Sequence, residues 1–322
     1  MTDSNNCGGC GLICEGPCVA SRCIETLAAN VANNPYGIYL DDHNVYWTDL
    51  GESGDAGTLV AASGDVNRVP ASGGATVRIA SGQDWPIAVT QYNGDVYWTD
   101  FSSTGSTGAV LWLSGGTVAT FAAGAAPFGL ASGPGGVYWA DEGAGTVLEA
   151  PLAGGTPSTL ASAQSNPAYV AVDANNIYWT NNTGVYQAPL TVGGTVITLA
   201  SGQDDPVSVA VSSTTVFWTT SDATTGVGNI LSAPIGGGTV STLVSNQSFA
   251  YGLAVWGGSI YWTVGASSGS IMKAGVNGAN PTAIVTGQSY PCAVAADSAS
   301  VYWLNEGPGL GTDGSVMKAS PN

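Results

Sequence analysis

Basic side chains are nearly missing from this chain. Its 322 residues include five Lys and Arg together, against 22 Asp and Glu, for a formal net charge of -17. Nucleic-acid binding draws most of its affinity from Lys and Arg neutralising phosphates, so DNA and RNA are excluded as natural partners, and anionic membrane surfaces are disfavoured for the same reason. Histidine is reduced to His43 alone, which leaves little material for His-based general acid–base chemistry. No apolar run approaches the ~18 to 20 residues that a membrane-spanning helix needs. These shortages predict a monomer without membrane insertion.

What is present points to strands. Glycine reaches 47 residues, Trp 10 and Tyr 13, while charged residues make up only 8%. Many short strands joined by tight turns fit that mixture better than helices or disorder.

The aromatics are periodic. "VYWTD" ends at Asp49 and again at Asp100, followed by "VYWAD" to Asp141, "IYWTN" to Asn181, "VFWTT" to Thr220, "IYWTV" to Val264 and "VYWLN" to Asn305. The tryptophans Trp47, Trp98, Trp139, Trp179, Trp218, Trp262 and Trp303 are spaced 51, 41, 40, 39, 44 and 41 residues apart. A period near 40 marks a repeat architecture. Each unit has an apolar run about ten residues before its Trp, a Gly-rich loop after it, then two further strand patterns such as "GTVLEAPLAGG" and "PSTLASAQ". Four short strands per unit make the blade of a β-propeller, and seven aromatic pairs make seven blades, an all-β fold.

The chain ends support closure of the ring. The last unit stops after its third strand, "GSVMKAS", and the fourth-strand pattern recurs instead at residues 24 to 30, "IETLAAN". The N-terminal strand is therefore expected to complete blade seven, which removes exposed sheet edges. Within a second strand Tyr and Trp face opposite sides, so each pair is expected to fill the gaps to both neighbouring blades.

The "YWTD" core, the following "GxIxxxPLxGG" and the returning "PxGIAVD" resemble the YWTD repeats of lipoprotein-receptor propellers and, more loosely, NHL repeats. The resemblance covers residues 24 to 322 and implies the propeller fold. It departs from the receptor domains in having seven units where they have six, and in losing the final Asp at Asn181, Thr220, Val264 and Asn305. With its leader the chain is similar to secreted bacterial seven-bladed propellers.

That leader, "CGGCGLICEGPCVASRC", sets Cys7, Cys10, Cys14, Cys18 and Cys23 close together and resembles extracellular Cys-rich modules. Residues 1–23 are expected to form a disulfide-linked segment ahead of a propeller spanning 24–322, in a secreted, cell-surface or periplasmic protein. Five is odd, and Cys292 is expected too far away, at the start of blade seven, to pair without the leader folding back over the ring. A zinc site at the Cys7-x2-Cys10 pair lacks a second ligand pair.

Chemistry-bearing motifs are few. "GASSG" from Gly265 to Gly269 lacks the strand–turn–helix elbow that makes a serine nucleophilic, and the glycines Gly309, Gly311 and Gly314 precede a strand rather than a helix. His43 is expected in a turn on the face opposite the channel mouth. The mouth itself should be acidic, bordered by Asp49, Glu52, Asp55, Asp65, Asp84, Asp100, Asp141, Glu142, Asp204, Asp205, Asp222, Glu306 and Asp313 without a Lys or Arg.

The residues around each first-strand proline vary most between repeats, and departure from a repeat marks a candidate site. Tyr36, Trp85, Asp84, Asp205, Phe249, Tyr251 and Tyr290 are the expected ligand-binding residues, suited to a carbohydrate, a peptide or a small cation through stacking plus a few hydrogen bonds. Asn34, Asn166 and Asp205 are candidate ligands for Ca²⁺ in a lactonase- or esterase-like hydrolase, by fold-level analogy with gluconolactonase-type propellers. A structural or adhesive module is a third expectation.

Overall fold

The computed structural model describes residues 18–19, 22–31, 34–51, 60, 62–102, 107–133, 135–222, 224–307 and 313–320. Among these residues every regular element is a strand, and no helix is long and apolar enough to cross a membrane.

The first two strands, β1 (Cys18–Val19) and β2 (Arg22–Val31), form a hairpin. Blade one follows as four antiparallel strands in sequence order, β3 (Pro35–Leu40), β4 (Asn44–Asp49), β5 (Gly64–Pro70) and β6 (Val77–Gln83). Five further blades repeat this plan, with innermost strands β7 (Pro86–Tyr92), β11 (Pro127–Gly133), β15 (Val170–Val172), β19 (Pro206–Val211) and β23 (Ala250–Trp256). The last blade contains β27 (Pro291–Ala296), β28 (Val301–Asn305) and β29 (Gly314–Ala319), and β2 lies against β29 as its fourth strand. The protein is a seven-bladed β-propeller.

Ring closure uses the N-terminal strand, with Ile24 opposite Ala319 and Val31 opposite Gly314. β2 starts at Arg22, and β1 pairs outside it, so blade seven has five strands where the other six have four. Cys18 stands opposite Cys23 in the β1–β2 ladder. Cys7, Cys10 and Cys14 lie outside the described residues.

The aromatic pairs fill the gaps between blades as their alternation predicts. Trp47 is buried with Leu27, Val31 and Tyr302 of blade seven, whereas Tyr46 is buried with Val89 and Trp98 of blade two. Burying an indole also requires a partner for its N–H. In five blades that partner is the Oε1 of a Gln 15 residues earlier, on or just after the outer strand of the preceding blade: Gln83 for Trp98, Gln164 for Trp179, Gln203 for Trp218, Gln247 for Trp262 and Gln288 for Trp303. Trp47 uses Asp49 Oδ2 instead.

The Thr that follows the Trp links blades as well at Thr48, Thr99, Thr219 and Thr263. Thr48 Oγ1 accepts the Gly37 N–H of its own blade at 2.9 Å and donates to the Ile87 carbonyl of blade two at 2.9 Å. Thr99 makes the same pair of bonds, to Ala88 N–H and the Phe128 carbonyl, and Thr263 does so with Gly252 N–H and the Cys292 carbonyl. Where blade three has Ala140, the bond between inner strands is direct, from Gly129 N–H to the Ala168 carbonyl. Where blade seven has Leu304, the Cys292 thiol reaches the Pro35 carbonyl of blade one at 3.2 Å. Cys292 is a free thiol.

Candidate functional site

The seven innermost strands enclose a cavity of 830 Å³ at the centre of the ring. Apolar side chains dominate its wall, including Ile38, Ile87, Val89, Leu130, Val207 and Leu253. It reaches the face that carries the loops entering the first strands and the loops leaving the second strands, where Phe249, Tyr290, Ser267 and Glu306 contribute to its lining. His43 sits in the β3–β4 turn, which belongs to the opposite face, with its N–H bound to Asp41 Oδ1.

Four of the expected ligand-binding residues line this cavity: Tyr36, Phe249, Tyr251 and Tyr290. Phe249 and Tyr251 are tilted against one another with ring centroids 6.3 Å apart. Glycine makes room for both rings. A Cβ at Gly226 would come within 2.4 Å of the Phe249 ring, and one at Gly265 within 2.8 Å of the Tyr251 ring.

Trp85, Asp84 and Asp205 do not line the cavity. Trp85 stacks on Phe101, with planes 3° apart and centroids 6.5 Å apart, and Phe101 meets Phe128 edge-on. The Asp84 amide donates to Asp100 Oδ2. Asn34 and Asn166 also lie outside the lining, so the candidate calcium donors Asn34, Asn166 and Asp205 do not converge on the cavity.

A backbone constraint also acts on those positions. Asn34, Trp85, Asn166, Asp205, Phe249 and Tyr290, each just ahead of a first strand, have φ between 47° and 66°. Asn and Asp tolerate this left-handed backbone best among non-glycine residues. The carbonyls of Asn34, Trp85, Asp205, Phe249 and Tyr290 each accept the N–H of the residue three after a tryptophan. The position is a shared strand entry. Among the described residues no group of three or more His, Cys, Asp or Glu is placed to hold a metal ion.

The acidic mouth also resolves into separate roles. Asp141 binds the Ala125, Ala126 and Ala144 N–H groups, and Asp222 binds its own turn at Thr224 and Thr225. Asp65 pairs with Arg78 at 3.3 Å, so one cation does reach this group of acids. Asp49 is buried, accepts Trp47 Nε1–H and Asn67 Nδ2–H, and is pushed up to about 8 by burial and then by the neighbouring Asp65 charge. Glu52 and Asp55 lie outside the described residues. Of the eleven described acids, Glu306 alone contributes to the cavity wall.

Burial raises the Glu306 carboxyl above the usual carboxylate range. Its charge is felt by Tyr36, Tyr251 and Cys292, whose own ionisations are also raised, in each case mainly by burial. Tyr36 reaches about 12 and so stays a neutral phenol. Among the described residues the site is therefore a ring-lined apolar chamber with one carboxylate, and no Lys, Arg or His in its wall.

Tyr169 is the lining residue that residue-by-residue reading missed. Two positions after the first-strand proline, or after the Ala250 that replaces it, the other blades carry Gly37, Ala88, Gly129, Ser208, Gly252 and Ala293. Blade four carries Tyr169, and its innermost strand starts only after it, at Val170. The Tyr169 hydroxyl meets the Tyr36 hydroxyl at 2.9 Å, joining blade four to blade one across the channel. The signal was present in the sequence as a departure from the repeat at an otherwise small position.

No family model matches the chain, and no curated protein matches its sequence. Its likeness to known proteins is structural. A streptogramin B lyase superposes with a TM-score of 0.67 at 14% identity, over 93% of this chain and 97% of that one. A puromycin-hydrolysing peptidase of Mycobacterium tuberculosis gives 0.64 at 14% identity, over 89% of this chain and 50% of the other. The computationally designed Ika8 protein gives 0.61 at 14% identity, over 92% and 99%. At such identities the likeness shows the propeller fold alone.

Proposed function

We propose that the central cavity binds a small, largely apolar organic cation, and that the protein is a binding propeller. The observation that carries this reading is the composition of the cavity wall, in which Tyr36, Phe249, Tyr251 and Tyr290 are joined by the single carboxylate of Glu306. Aromatic faces attract a desolvated cation by ~0.5 to 2 kcal/mol each, and a carboxylate in an apolar chamber needs a positive partner. A volume of 830 Å³ falls within the ~300 to 1,000 Å³ typical of small-molecule sites. Sugars recruit more hydrogen-bonding groups than this mainly aliphatic wall presents, so within the sugar, peptide and cation classes the cation is favoured.

The same reading takes residues 1–23 as a cysteine-rich leader and the protein as secreted or surface-exposed. Its support is the density of cysteines before residue 24.

Titration calorimetry with benzyltrimethylammonium tests the binding reading. Glu306→Gln is expected to keep the fold and weaken binding roughly ten-fold, the scale of one charge-assisted contact. Equal affinity in both proteins would remove Glu306 from the site and the cation reading with it.

A further inference from the structure

The bridge between Tyr36 and Tyr169 divides the channel unevenly. Blades two and three lie between its ends on one side, and blades five, six and seven on the other. On the first side a connected set of rings packs together: Trp85 stacks on Phe101, Phe101 meets Phe128 at 5.7 Å, and Phe128 meets Tyr169 at 5.2 Å and Tyr36 at 6.3 Å, both edge-on, while Ile87, Val89 and Leu130 of the same two blades still line the cavity. The second side holds Phe249, Tyr251, Tyr290, Cys292 and Glu306.

We propose that Tyr169, acting with Tyr36, is the specificity-determining residue of the cavity. It forms a ring-backed wall that limits the size of the bound cation, and it presents a hydroxyl to the ligand. This inference rests on the cation reading given above.

Three observations carry the proposal. Tyr169 is a large residue where every other blade has Gly, Ala or Ser, so its bulk is no requirement of blade construction. The two phenols share one hydrogen bond, which uses one of their two O–H groups and leaves the other free to donate. Both tyrosines line the cavity, and burial holds both firmly in the neutral form, so the free O–H stays a donor across the physiological range. A ligand with an ether, carbonyl or hydroxyl oxygen opposite its cationic end fits these terms, because that oxygen would accept the hydrogen bond.

The substitutions that test this borrow residues already used at equivalent positions. Ala occupies the Tyr169 position in blades two and seven, and Val occupies the Tyr36 position in blade five. Affinities for tetramethyl-, tetraethyl-, tetrapropyl- and tetrabutylammonium would be measured by calorimetry for wild type, Tyr169→Ala and Tyr36→Val, with melting temperatures recorded for each. Wild type is expected to bind one of the smaller ions best. Both variants should move the optimum to a larger ion, and Tyr169→Phe, which keeps the ring, should leave it in place.

The hydroxyl is tested separately, with benzyltrimethylammonium bearing or lacking a para-methoxy group. Wild type should prefer the methoxy compound roughly three- to ten-fold, as one neutral hydrogen bond allows, and Tyr169→Phe should reduce that preference. If wild type binds the series and the size optimum is the same in Tyr169→Ala and Tyr36→Val, the wall proposal is overturned while the cation reading stands. If wild type binds none of these ions, the cation reading fails first and the proposal falls with it.

Discussion

At Asp49 the final acid of the "YWTD" motif is held inside the protein, between Trp47 and Asn67 and beside Asp65. With its ionisation raised from 3.8 to about 8, the folded state binds this proton more tightly than the unfolded chain does. The contribution is therefore complete below about pH 4 and is lost as pH rises towards about 8. Asp49→Asn, the residue that blades four and seven already carry at Asn181 and Asn305, should flatten this part of the stability profile. Urea midpoints across that range should fall more in wild type than in the variant, by more than about 1 kcal/mol in free energy; parallel profiles would place the charge elsewhere. A single sequence does not show such burial, which is why this acid was read as part of an open acidic mouth. The same gap explains Asn34, Asn166 and Asp205. Asn and Asp are metal donors and also the non-glycine residues that best tolerate left-handed backbone, so residue type alone does not say which role these positions serve.

At the scale of strands, the repeat itself was enough to place every blade, because each needs the same Tyr–Trp pair and the same turn chemistry. The N-terminal strand was legible too, since "IETLAAN" copies the outer-strand pattern of other blades. Deleting residues 1–31 should leave β29 as an open edge and uncover Leu304 and Val316, which β2 helps to bury. The truncated protein is expected to aggregate or to lose its single cooperative unfolding transition by calorimetry; an unchanged transition would contradict closure by β2.

The threonines between inner strands make a second claim at this scale. Thr99→Val keeps the shape of the side chain while removing the bonds to Ala88 N–H and the Phe128 carbonyl. Stability should drop by ~1 to 3 kcal/mol, because a buried donor and a buried acceptor lose their partner. A change below about 0.5 kcal/mol in a denaturant titration would mean that the neighbouring strands rebond directly, as Gly129 and Ala168 do. Tyr169 is not marked by the residues flanking each proline, since the departure from the repeat lies one position further along the chain.

For the molecule as a whole, the sequence defined the ring and the face that bears the mouth. It did not define which mouth residues converge, because that depends on how deep each side chain reaches into the channel. Trp85 shares its repeat position with Phe249 and Tyr290, yet it stacks on Phe101 and does not line the cavity. Glu306 is one acid among thirteen in the sequence, and among the described ones it alone reaches the cavity wall. Since burial raises its ionisation, cation affinity should weaken on acidification at a pH above the ordinary carboxylate range. Glu306→Gln should bind more weakly and lose this pH dependence, which calorimetry across a pH series would show.

The measurement closest to the central claim compares benzyltrimethylammonium with neopentylbenzene, its uncharged carbon isostere, in competition for the cavity. Both have the same shape, so the difference reports the charge alone. A preference for the cation of ten-fold or more, roughly the effect expected of several aromatic faces and one carboxylate after desolvation, is the predicted result. Equal binding, or a preference for the neutral hydrocarbon, would show that the chamber selects apolar shape and would contradict the assignment of a cation site.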